Sequence, residues 1–224
     1  MYKLPTRLII AILTFILGIS VAAGWFYYLE SQKVKIELPN HRWEQIFFKL
    51  IDRTTELGEL KELRKTKLYG DDIEVRVWRG FGLGDFEGVI IKRTNNQWLA
   101  FHAKADNCCE PQQVEVKQLN SPKSGWDTFW KNVTEQGLLT LRDPSEINCE
   151  DSGLDGTGYV VEINQNKTYR TYQMRSGGKC LGVKQMEAID DFIGEEFDSG
   201  REECKTTEWF VCAKLRKSYR QSAK

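Results

Sequence analysis

From Leu8 to Tyr28 the chain reads LIIAILTFILGISVAAGWFYY, without one charged residue. Coiled at about 1.5 Å per residue, that stretch measures about 30 Å, the thickness of a bilayer's hydrocarbon core. A core helix of that length in a globular protein would show water a polar face, and this one has none. Lys3 and Arg7 precede it, Glu30 is the first acidic residue, and Trp25, Phe26, Tyr27 and Tyr28 close it. Aromatic rings favour the membrane–water interface, and a basic flank stays in the cytoplasm. The sequence therefore predicts a transmembrane anchor, with everything from Glu30 onward outside the cytoplasm. A second reading stays open: Val21-Ala22-Ala23 offers the small residues of a signal-peptide cleavage site, which would release a secreted or periplasmic domain after Ala23. Both readings export the remainder. The expected organisation is a cytoplasmic leader (1–7), the anchor (8–28), a spacer (29–40), an extracytoplasmic domain (41–212) and a basic tail (213–224).

The six cysteines, Cys108, Cys109, Cys149, Cys180, Cys204 and Cys212, all follow the apolar stretch. An even number in an exported domain reads as disulfides. One pairing follows from local pattern. Residues 159–164 and 168–173 alternate as two strands, and with Gln165-Asn166-Lys167 as their turn the flanks return to one place, which pairs Cys149 with Cys180. Adjacent Cys108 and Cys109 bridge each other only under strain, so Cys204 and Cys212 are their expected partners. No Cys-x-x-Cys occurs, and His41 and His102 lie far apart, so the sequence gives no reason to expect a metal or another cofactor. Equal numbers of Lys+Arg and Asp+Glu, 32 each, leave no basic field for nucleic acid.

Hydrophobic periodicity predicts an α+β domain: an antiparallel sheet of hairpins with helices packed on one face. A helix is expected over 42–51, with Asn40 as its cap and a charged, helical continuation toward Tyr69. Strands follow at 72–78, 88–93 and 97–102, the last two joined by Thr94-Asn95-Asn96, where asparagine tolerates positive φ. An edge strand is expected at 114–119. A helix that starts after Ser124 and ends at Gly137 places Trp126, Phe129, Trp130 and Val133 on one face. Val183, Met186, Ile189, Ile193 and Phe197 define the best amphipathic helix, with Asp190 and Asp191 on its wet side.

The segments Glu74-Val-Arg-Val-Trp78, Gly80-Phe-Gly-Leu83, Trp126-Asp-x-x-Trp130, Gly137-Leu-Leu-Thr-Leu141, Asp155-Gly156 and Tyr159 to Tyr172 resemble a group of uncharacterised bacterial exported proteins. The likeness covers about half the chain and is loose between the motifs. It implies a bacterial origin and brings no activity with it.

No catalytic motif stands out. Gly80, Gly82, Gly84 and Gly88 lack the strand–helix context of a dinucleotide loop and read as a turn between strands. Glu162 and Arg170, with Tyr169 and Tyr172, lie on the central hairpin. They make either a cross-strand ion pair or, if that face opens into a cleft, a polar ligand site of Glu162, Arg170 and Tyr172. The expected function is a non-catalytic binding module, tethered to the membrane through 8–28 and engaging an envelope protein or ligand. The alternative is an envelope hydrolase drawing a carboxylate pair from Glu162, Asp155, Asp190 and Asp191. His102, at a strand end, reads as structural.

Overall fold

The computed structural model describes residues 5–31, 33–39, 44–81, 86–106, 111–147, 149 and 158–198, without the side chains of 6–14, 29–30 and 44–47. The predicted cap at Asn40, His41, Cys108, Cys109, Asp155, Cys204, Cys212 and the basic tail lie outside the described residues. Helix α1 (Thr6–Ser31) takes the predicted apolar stretch, and its side chains from Phe15 to Tyr28 are all exposed. Among the described residues, which leave out the side chains of 6–14 and 29–30 in α1, no helix is long and apolar enough to cross a membrane.

The domain is α+β, built on one seven-stranded mixed sheet. In chain order its strands are β1 (Lys35–Glu37), β2 (Ile73–Arg79), β3 (Glu87–Thr94), β4 (Gln97–Ala105), β5 (Val114–Gln118), β6 (Gly158–Gln165) and β7 (Thr168–Arg175). Their spatial order is β1-β7-β6-β2-β3-β4-β5. Five contacts are antiparallel, as expected from the hairpins, but β1 pairs parallel with β7, Lys35 opposite Thr168. The stretch expected to be a spacer thus supplies an edge strand.

The two central hairpins turn on residues of positive φ: Asn95 and Asn96 between β3 and β4, Asn166 and Lys167 between β6 and β7. Two-residue turns with both φ values positive match the twist of the flanking strands. Both turns are therefore one residue shorter than predicted: Thr94 belongs to β3 and Gln165 to β6. Glu162 consequently stands opposite Thr171, and Arg170 opposite Ile163.

Helices cover both faces of the sheet rather than one. On the first face α3 (Trp126–Glu135) and α4 (Leu181–Phe197) pack Phe129, Val133, Met186, Ile189 and Ile193 onto Val75, Val77, Val89, Ile91 and Val161. On the second, α2 (Glu44–Leu57) and the 3-10 turn Leu63–Lys65 bring Phe48, Ile51 and Leu63 onto Trp78, Ile90, Val160 and Tyr169. Burial on both sides explains the unbroken apolar runs at 89–91 and 159–161, since neighbouring strand residues point to opposite faces. Gly137, at φ 101°, ends α3 as its sequence predicts. Cys149 and Cys180 form the expected disulfide, with Cα atoms 6.2 Å apart.

Trp78 fills the second face. Its ring stacks on Phe86 with centroids 5.4 Å apart and lies against Gly88, where a Cβ would approach within 2.3 Å of the indole. Only glycine leaves the ring its place.

Candidate functional site

Two polar clusters lie on opposite faces of the sheet. The first gathers where β2 ends and β3 begins. Arg79 and Glu87 are directly opposite each other in the β2–β3 register, and Tyr159 faces Arg79 from β6. His102 reaches the same spot from β4, and α4 lowers Asp190 onto it. The Arg79 guanidinium donates to Glu87 through Nε, at 2.5 Å, and through Nη2, and its Nη1 donates to Asp190 at 3.2 Å. Glu87 Oε2 lies 2.9 Å from His102 Nε2.

Asp190 is 2% exposed, so its place on the wet side of the helix is corrected: it turns inward, toward Arg79. Asp191 remains exposed. Burial pushes the Glu87 carboxyl up, but the hydrogen bond from His102 and the Arg79 charge outweigh it and pull it down to about 2. An ionised carboxylate only accepts, so His102 Nε2 is the donor in this contact. Burial followed by the Asp190 charge drives the Tyr159 hydroxyl upward, which keeps it a neutral donor. The cluster thus holds a carboxylate-oriented imidazole, an arginine and a phenol within one half-buried patch.

The depressed carboxyl has a measurable consequence. Glu87 contributes stability that is complete above about pH 4.5, its ordinary range, and is lost as pH falls toward 2. The native state holds the ionised form more tightly than the unfolded chain does, by about 3 kcal/mol. Urea unfolding between pH 5 and 2.5 is expected to show this loss, and Glu87→Gln is expected to flatten it.

The second cluster lies beneath α2. Glu162 accepts from Trp78 Nε1 at 2.6 Å and from Tyr169 Oη at 2.8 Å. Arg76, directly opposite in the β2–β6 register, is spent on Glu74 at 2.7 Å, the Lys61 carbonyl at 2.6 Å and Thr55 Oγ1 at 3.5 Å. Complete burial raises the Glu162 carboxyl; the charge of Arg76 and the two hydrogen bonds oppose that rise without cancelling it. Beyond Thr55, a cavity of about 130 Å³ is lined by Asp52, Thr55, Glu56, Leu60 and Glu62.

The structure does not bring Glu162, Arg170 and Tyr172 together. The shorter turn slides the register by one residue, and in a strand one residue reverses the face. Glu162 points under α2, while Arg170 and Tyr172 point to the α3–α4 side. There Tyr172 Oη donates to the Leu138 carbonyl at 2.8 Å. Arg170 lies over the Tyr172 ring and donates to the carbonyls of Leu139, at 3.0 Å, and Leu141. Together these two residues hold the 138–141 turn. His102 joins Glu87 instead of standing as an isolated strand-end residue.

Arg79 and Glu87 were missed by the sequence reading. Their signal was opposite charges flanking the glycine-rich turn, where a hairpin sets them side by side. Among the described residues no group of three or more His, Cys, Asp or Glu is placed to hold a metal ion. Comparison of the chain with family models, with curated proteins and with solved structures finds no match.

Proposed function

We propose that this chain is an exported, membrane-tethered binding module, with α1 as its anchor and the α+β domain outside the cytoplasm. The observation behind this reading is the disulfide between Cys149 and Cys180, because such bonds persist in oxidising compartments and are rare in the cytosol. The uncharged sequence from Leu8 to Tyr28 and the exposed apolar surface of α1 agree with it. For the binding role, Trp98 supports the reading. It stacks on Trp126 at 5.4 Å and tilts against Trp130 at 4.8 Å, with Arg93 over its ring. All three tryptophans are half-buried. Tryptophan and arginine dominate the energetics of binding surfaces. A reporter active only outside the cytoplasm, fused after Lys224, is expected to be active. Activity solely of a cytoplasmic reporter at that position would overturn the orientation.

A second reading, an envelope hydrolase, draws on the convergence of Glu87 and Asp190 on Arg79 beside His102. Among the described carboxylates considered from sequence, Asp190 joins that cluster, Asp191 is exposed and Glu162 lies on the other face. Hydrolysis of envelope glycan or peptide by the purified chain, abolished by His102→Gln, would favour it over the binder.

A further inference from the structure

The exit of α1 is fixed to one end of the sheet. Lys167 Nζ donates to the carbonyl of Ser31, the last residue of α1, at 3.2 Å. Four residues later Lys35 N donates to the Lys167 carbonyl at 2.7 Å, and β1 enters its register with β7. Four residues span at most about 14 Å, so the helix end cannot stray from the β6–β7 turn while β1 is paired.

Register identifies what else lies at that end. Ile73 opens β2 opposite both Gln165 and Arg93, which sets the β3–β4 turn and the β6–β7 turn side by side. The loop before β2 joins them: Leu68 accepts from Lys167 N at 3.0 Å, Arg93 donates to the Asp71 carbonyl at 2.7 Å, and Asp72 accepts from Asn95 N at 2.9 Å. The resulting base exposes Asn95, Asn96, Asn166, Lys67 and Tyr69, together with the acid Asp71. Tyr69 is 49% exposed, and Lys167 Nζ lies 4.9 Å from its ring centroid. A tyrosine with its ring at the surface, flanked by lysines, is the residue chemistry of a membrane interface. The exposed side chains of α1 from Phe15 to Tyr28 show that this part of the helix does not pack along the domain.

We propose that the end of the sheet bearing the β3–β4 and β6–β7 turns rests on the phospholipid headgroups of the bilayer that α1 enters, with Lys67, Tyr69, Asn96 and Lys167 at the contact. The proposal rests on the reading of α1 as a membrane anchor. Continuity with the helix exit selects lipid as the occupant, because a helix end held at this base brings the base to the surface the helix enters. The opposite end of β2, with Arg79 and Glu87, then stands roughly 20 Å above the headgroups, at about 3.3 Å per strand residue. The polar cluster there faces away from the membrane.

The test uses the full chain in vesicles of phosphatidylethanolamine and phosphatidylglycerol. The photoreactive residue p-benzoylphenylalanine replaces Asn96, Tyr69 or, at the far end of the sheet, exposed Gln113. After flotation and irradiation, mass spectrometry is expected to find lipid adducts at least tenfold more abundant at positions 96 and 69 than at 113. Vesicle-bound chain with equal adducts at all three positions would overturn the seated base and leave the anchor standing. Chain that fails to float with vesicles, or that leaves them in carbonate, would overturn the anchor and the proposal with it.

Discussion

Glu162→Ala is expected to cost the fold about 4 kcal/mol. The substitution strips the acceptor from two buried donors, Trp78 Nε1 and Tyr169 Oη, and each unpaired donor costs about 1–3 kcal/mol. The vacated space adds to the loss, because Trp78 is pinned between Phe86 and Gly88 and has no room to follow. Glu162→Gln separates the terms. Its one carbonyl oxygen meets one donor and its amide faces the other, so a loss of about 1–3 kcal/mol is expected. The pH trend runs opposite to that of Glu87. A carboxyl raised in the native state penalises folding once pH exceeds the ordinary value near 4.5, up to its folded value. The glutamine variant has no such penalty, so its deficit relative to the native chain should shrink as pH rises above the ordinary carboxylate range. Urea unfolding of the three proteins, compared at constant m-value, checks both statements. Equal stability of the alanine variant and the native chain would remove Glu162 from the fold's supports.

Loss of the Cys149–Cys180 bond is expected to cost about 3–4 kcal/mol. On the chain-entropy account, closing the 31-residue separation removes about that much freedom from the unfolded chain. The bond ties the start of α4 to the loop that leads into β6, and Cys180 is itself buried against the α3–α4 core. Replacing both cysteines by serine should therefore lower the melting temperature by roughly 10 °C for a chain of this size. A scan under reducing conditions should bring the native chain down to meet the variant. A native melting temperature indifferent to reductant would show that the bond does not form in the protein as made.

The hairpins were legible because their evidence is local. Alternation from Ile73 to Trp78 and a turn at Asn95 and Asn96 need only neighbouring residues to be read, although Thr94, expected in that turn, belongs to β3. The disulfide was legible for the same reason, since the hairpin that brings Cys149 to Cys180 lies between them. What escaped depends on a single residue of register or on distant partners. Counting the β6–β7 turn as three residues instead of two put Glu162 beside Arg170 and on the wrong face. Asp190 looked wet because its neighbour Asp191 is; its partner Arg79 lies 111 positions away and leaves no mark on the helix pattern. The second layer of helix had a visible trace in Val89-Ile90-Ile91, where a strand with one wet face would have interrupted the run. A three-residue strand such as β1 carries no periodicity at all, and nothing in Lys35-Ile36-Glu37 distinguishes it from spacer.

That small strand also governs how the molecule answers to force. Any tension passing down α1 enters the sheet at Lys35–Glu37, a seam of three residues with exposed side chains and one neighbour, β7. Short, solvated edges of this kind open before the interior does. Once the seam parts, the thirteen residue steps from Ser31 to Glu44 become a leash of roughly 45 Å at full stretch. With α1 as the anchor proposed above, the same tether would hold the domain at either of two ranges, and only the inner one would fix which end points down.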